Sequence, residues 1–299
     1  MGNSTGGASF PKSAFDGMLL GHPDSGRIGY NEGERRLSRR TAFITGATNG
    51  VGRVVAERLG ALGWDVLVHG RDERRGEELA NAIVGSGGRA RFFRGDLASL
   101  AQVRKLAGAI MSASPRMHLM INNAGVGFGP PGAMRETTED GLELRFAVNY
   151  LAPFVLTRTL LPNLIAATPA RIVNVESIGQ SELDFEDMQF EHGFSGIESH
   201  RRSKLALIMF TIDLAAELVE RGVTVNAVHP ASYMDTFMVR QTGSEPRSTV
   251  AEGADAIMNL ASSLEAGDRT DQYFDQLTPT KAKAQAYDRQ APTELVAKR

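Results

Sequence analysis

The chain of 299 residues contains no cysteine. That excludes disulfides, a thiolate nucleophile and a cysteine-based zinc site, and it fits a reducing cytosol. Net charge is nearly absent as well: 33 Lys and Arg against 35 Asp and Glu leave −2, too little to suggest a nucleic-acid or anionic membrane partner. No apolar run approaches the roughly 18–20 residues of a membrane span. Internal repeats and low-complexity tracts are also missing. What is present is ordinary for a globular chain, 42% apolar and 23% charged residues, with length enough to bury a sizeable core.

Residues 1–38 hold one short apolar cluster, Phe15 to Leu20, in a background of Gly, Ser, Asp and Arg. They lack the regions of a signal peptide. The pairs Arg35-Arg36 and Arg39-Arg40 resemble a twin-arginine signal, but the TAFITGATNGVG that follows reads better as a strand and turn. We expect a flexible or loosely docked extension over 1–38 and one folded domain over 39–299.

From residue 41 short β-branched runs alternate with helical stretches. The expected strands are 41–45, 65–69, 90–94, 118–122, 171–175, 223–228 and 272–274. The expected helices cover 53–63, 73–87, 99–113, part of 138–167, and 200–221. The strands are almost continuously apolar, as when helices cover both sheet faces. Right-handed crossovers then give an α/β, Rossmann-like, doubly wound parallel sheet of seven strands.

Between the first strand and first helix lies Thr45-Gly46-Ala47-Thr48-Asn49-Gly50-Val51-Gly52. Glycines there let the backbone turn tightly and approach a pyrophosphate, while the helix N-terminus supplies N–H donors. The second strand ends VLVHGRDE. An acid at that point binds the ribose hydroxyls of NAD, whereas an Arg accommodates the 2′-phosphate of NADP. Gly70 holds the acid's usual place, Arg71 follows, and Asp72 falls where it would cap the next helix. The expected cofactor is therefore NADP(H), with Arg71 on the 2′-phosphate.

TGATNGVG, Asp96-Leu97, Asn122-Asn123-Ala124-Gly125, FAVNYLAPFVLT, RIVNVES, SKLALIMFT and VNAVHPASYMDT follow one another in an order that resembles the short-chain dehydrogenase/reductases, over about residues 39–290. The resemblance is nearest to the retinol-dehydrogenase-like branch. It implies that Gly46, Thr48, Asn49, Gly50, Val51 and Gly52 bind the cofactor. It further implies Asp96 at the adenine, the Asn122–Gly125 backbone (with Asn123, Ala124 and Gly125) along the cofactor, Thr236 at the nicotinamide carboxamide, and Leu97 and Pro230 among the cofactor-binding residues. Of the family's Asn, Ser, Tyr and Lys it implies Asn149 ordering a water, Ser177 bonding the substrate oxygen and Lys204 holding the nicotinamide ribose.

The departure is in His200-Arg201-Arg202-Ser203-Lys204, where His200 stands at the tyrosine of YxxxK. Residues four apart share a helix face. A nearby ammonium stabilises a phenolate but opposes an imidazolium, so His200 should be neutral near pH 7 and a poor proton donor. Tyr233 and His192 are substrate-pocket candidates; Tyr150 and His229 read as structural, and His69 could lie near the adenosine ribose. Three functions follow: an NADP(H)-dependent oxidoreductase acting on a small apolar carbonyl or alcohol; a cyclase, dehydratase or isomerase on the same fold using His200 and Ser177; or a non-catalytic NADP-binding protein. The expected partner is a small-molecule substrate, without nucleic acid or metal, in a cytoplasmic homodimer or homotetramer.

Overall fold

In the computed structural model, alternate residues of each central strand enter opposite layers. Phe43, Met120 and Ile172 pack to one side, while Ile44, Ile121 and Val173 pack to the other. This is the pattern of strands buried on both faces. The structure describes residues 40–263 and 267–288. Arg39–Arg299 forms one compact unit, and the expectation for 1–38 lies outside the described residues.

Eight strands form a single sheet in the order β3-β2-β1-β4-β5-β6-β7-β8. They are β1 (Thr41–Ile44), β2 (Asp65–Gly70), β3 (Arg89–Arg94), β4 (Leu119–Asn122), β5 (Ala170–Val175), β6 (Val223–His229), β7 (Gln272–Asp275) and β8 (Thr278–Thr280). The first seven are parallel, and β8 returns antiparallel on β7. The expected seven-stranded parallel sheet thus gains an antiparallel edge strand. Its three residues, Thr-Pro-Thr, are exposed, and proline there removes the ordinary strand signal while remaining compatible with an edge.

The helices are α1 (Gly50–Ala61), α2 (Glu73–Gly85), α3 (Leu100–Ala113), α4, α5 (Gly196–Leu218), α6 (Phe237–Arg240) and α7 (Val250–Ser262). Here α4 comprises Leu144–Phe146, a π-helical turn Ala147–Leu151 and Ala152–Ile165. The first helix begins earlier than its apolar spacing suggests, because Asn49 caps it by accepting from Gly50 N. Helix α7 was not among the expected helices, although Thr249 and Glu252 form a capping box at its start, a signal readable as T-x-x-E. Strand order reverses between β1 and β4, so a crevice opens beyond their carboxyl ends, where folds of this kind bind ligands.

Candidate active site

The glycine turn is tied to the loop after β4. Asn123 donates from Nδ2 to the carbonyls of Thr45 and Gly46, at 2.9 and 3.0 Å. Thr45 Oγ1 in turn accepts from the backbone N–H groups of Asn123 and Ala124. Gly46 has φ +64°, and a Cβ there would lie 2.7 Å from Ala124 Cα. At Gly52 a Cβ would fall 2.3 Å from Asn123 Nδ2 and 2.6 Å from Gly46 O. The glycines therefore permit a cradle of backbone N–H groups closed by Asn123, which fits a pyrophosphate.

Thr236 caps α6 through Val239 N, and its methyl group lies 3.4 Å from the Cβ position of Gly50. The segment after Pro230 is thereby brought against the same turn. Asp96 accepts from Ala98 N, and Leu97 is buried. Asn122 departs from the cofactor-lining picture in its side chain, which donates inward to Thr157 Oγ1 and Asn174 Oδ1.

At the end of β2 the space for a side chain at Gly70 is taken by Thr48, whose methyl lies 2.4 Å from the Cβ position. Arg71 is exposed just beyond it. Asp72 accepts from Arg75 N at 3.0 Å and caps α2. His69 is buried and joins the turn to the next strand: Nδ1 accepts from Gly46 N at 3.3 Å and Nε2 faces Gly95 O at 3.1 Å. A carbonyl only accepts, so Nε2 carries the hydrogen. Burial, chiefly, lowers the pKa of His69 to about 4, and the ring is neutral.

The other half of the site is built from side chains. The π turn of α4 aims Asn149 at the loop after β4; its Oδ1 accepts from Val126 N at 2.7 Å, and its Nδ2 donates to Val126 O and Ser203 Oγ. Single π turns recur at functional sites. Val126 O also faces His200 Nδ1 at 3.0 Å, so Nδ1 carries the hydrogen and Nε2 the lone pair. Phe128 packs edge-on against this imidazole. The pKa of His200 falls to about 4, first through desolvation and second through Lys204. Neutrality was expected from Lys204 alone; burial turns out to be the larger cause.

Lys204 is buried and donates from Nζ to Val175 O at 2.9 Å. A Cβ on Gly125 would sit 3.3 Å from Asn149 Oδ1 and 3.8 Å from Lys204 Nζ. The loop after β4 thus passes beside both groups. Ser177, just past β5, accepts from Gly179 N through Oγ at 3.1 Å. Beneath Ser177 lies Glu176, absent from the sequence-based candidates, with its carboxylate 3.7 Å from Lys204 Nζ.

Other candidates fall outside this network. The His192 side chain is 89% exposed and faces Asp187. Tyr233, at φ +50°, packs under Arg247. Tyr150 is buried among Phe146 and Phe154, and His229 bonds Ser232 Oγ. Arg145, also unforeseen, is buried against Glu143 and donates to Gly127 O, bracing the loop that carries Val126 and Phe128. Among the described residues no cluster of three or more His, Asp or Glu could hold a metal, and no helix is long and apolar enough to cross a membrane.

The short chain dehydrogenase family model matches residues 40–247. The chain belongs to that family. It is 38% identical to retinol dehydrogenase 13 of Mus musculus over 68% of this chain and 61% of that protein. To polyprenol dehydrogenase of Mus musculus it is 40% identical, over 68% and 62%. The chain therefore spans about three fifths of the length of these curated relatives. Among solved structures, the NADP complex of Pseudomonas aeruginosa RhlG superposes with a TM-score of 0.65 at 26% identity, over 79% of this chain and 94% of that one.

Proposed function

We propose that this family member is an oxidoreductase that moves a hydride between NADP(H) and the carbonyl or alcohol carbon of a small apolar substrate, with Asn149, Ser177, His200 and Lys204 as its polar centre. The observation that carries this reading is the meeting of Asn149 and Lys204 at Gly125, in the loop that Asn123 fastens to the glycine turn. Cofactor cradle and polar centre share one loop. For NADP over NAD the support is the side-chain-free Gly70, the exposed Arg71, the use of Asp72 as a helix cap, and the NADP in the RhlG complex. For an apolar alcohol or carbonyl it is the relatives named for retinol and polyprenol, with Ile178 and Met238 exposed beside Ser177 and Gly127.

The nicotinamide, when bound, gives or accepts the hydride. The Gly179 N–H bond leaves the Ser177 hydroxyl hydrogen available to a substrate oxygen. His200, at the tyrosine's place, offers the Nε2 lone pair and accepts from a substrate hydroxyl. With a pKa of about 4, it is a weak base and is not charged at pH 7, so it orients the substrate oxygen, and the proton that accompanies the hydride is taken from or released to solvent. The same tautomer favours one other reading, a non-redox reaction in which His200 and Ser177 act on a bound substrate.

His200→Tyr separates the two. NADPH absorbance would be followed from pH 5 to 10 with apolar aldehydes, ketones and alcohols, retinol and a polyprenol included. The oxidoreductase reading expects native hydride transfer that survives or improves in the variant, with its optimum moved upward. Tight NADP(H) binding without hydride transfer on any substrate would transfer the assignment to the non-redox reading.

A further inference from the structure

Strand β5 presents Asn174, and the residue just past its end is Glu176, both toward helix α5. Asn174 donates to Thr211 Oγ1, and Glu176 faces Lys204, seven residues earlier on the same stripe of that helix. Seven residues are two helical turns, so the strand meets one continuous face. The Glu176 side chain is fully buried, and neither carboxyl oxygen has a hydrogen-bond partner. Its approach to Lys204, 3.7 Å, is an ion-pair distance and too long for a good hydrogen bond. A carboxyl placed this way stabilises nothing cheaply, because desolvation of a charge costs several kcal/mol unless it is well paired.

We propose that Glu176 is a positioning residue of this centre: its buried carboxyl anchors the Lys204 ammonium and, by losing or regaining a proton, sets the charge beside which Ser177 and His200 work. The role rests on the oxidoreductase reading for its consequence, though not for its geometry. Lys204 is held on one side by Val175 O at 2.9 Å and on the other by Glu176. Losing a proton, the carboxyl turns a net positive pair into a neutral one; the proton leaves to solvent and returns from it.

The groups facing the pair come from every neighbouring element. Helix α5 supplies Lys204. Strand β6 supplies His229, lowered mainly by burial. Strand β7 supplies Asp275 and also Tyr273, whose hydroxyl donates to Ser177 O and whose acidity is weakened first by burial and then by Glu176. Burial raises Glu176 to about 8, with Lys204 opposing that rise. His200, one turn before Lys204, stays neutral throughout this range. With no phenol at position 200, Glu176 is the group that titrates next to Lys204 between neutrality and pH 9.

The full chain with ¹³C-carboxyl-labelled glutamate, without cofactor or substrate, tests this by infrared spectroscopy. The expected result is one protonated glutamate at pH 7 that ionises near pH 8 and is missing in Glu176→Gln. Lys204→Met should move its midpoint upward by roughly 1–3 pH units, since an opposite charge at this range lowers a carboxyl pKa by that amount. No such band at pH 7, or a midpoint indifferent to Lys204→Met, would overturn the coupling. The link to the site is read from NADPH affinity between pH 7 and 9. It should fall several-fold in the wild type as the carboxylate cancels the ammonium, and stay flat in Glu176→Gln. The same fall in both proteins would overturn the site role. Failure to bind NADPH at any pH would instead refute the cofactor reading and leave the infrared arm to decide Glu176.

Discussion

The two sides of the crevice are built from different materials. On the β1–β2 side the polar groups are backbone: the glycine turn, tied down by Asn123, Thr45 and a neutral His69. On the β5–α5 side they are side chains, among them a buried carboxyl and ammonium within 4 Å of each other. The backbone side is rigid in its demands, since a single added Cβ meets main-chain atoms. The side-chain side depends on protonation, since burial lowers the pKa of His200 and raises that of Glu176. One side fails through sterics, the other through charge.

The sharpest way to break that contrast is Gly52→Ala. Its methyl would press on Gly46 O and Asn123 Nδ2, at 2.6 and 2.3 Å, so the turn must shift and NADPH affinity should fall. NADPH titration should show that loss with the β5–α5 side intact, seen as an unchanged glutamate infrared band. Retained affinity would mean that the turn is softer than its contacts imply.

Arg71→Ala addresses the cationic group expected on the backbone side. Charge-assisted bonds to a phosphate contribute about 1.5–3 kcal/mol, so NADPH affinity should drop roughly tenfold to a hundredfold while NADH affinity holds. Equal losses for the two cofactors would remove the 2′-phosphate from the argument.

His69→Phe keeps ring bulk but strips both hydrogen bonds from the hinge of the glycine turn. Leaving Gly46 N and Gly95 O unpaired should cost about 1–3 kcal/mol at pH 7. The sign with pH is also defined. The folded pKa of His69, about 4, lies below the reference 6.5, so its contribution is full above pH 6.5 and is lost as pH falls towards 4. Thermal melts should find the variant less stable at pH 7 yet less sensitive to acid than the wild type. A parallel acid profile would assign the sensitivity to other groups, His200 first.

The smallest effect is expected far from both sides. Arg58 pairs with Asp255 between α1 and α7, at the surface, and Arg58→Ala should change stability by no more than about 1 kcal/mol. A larger loss in a denaturant titration would show that the α1–α7 packing depends on that pair.

The chain by itself determined the architecture, because strand runs apolar on both faces and a glycine turn at the first crossover demand covered parallel strands and a close backbone approach. It also marked where the backbone turns tightly, at Gly46 and Gly52, and that Asp72 could cap the next helix, as it does, since such needs are local and leave a mark at fixed spacing. His200 and Lys204 were legible as neighbours for the same reason, four residues along one helix. Only the tertiary structure decided what surrounds them. Val126 O assigns the His200 tautomer from 74 residues away, and Glu176 meets Lys204 across the gap between β5 and α5, with nothing in VNVES to announce a buried acid. It also returned His192 to the surface and added the edge strand β8. Hydrogen bonds and desolvation act through space, and their partners carry no periodicity along the chain.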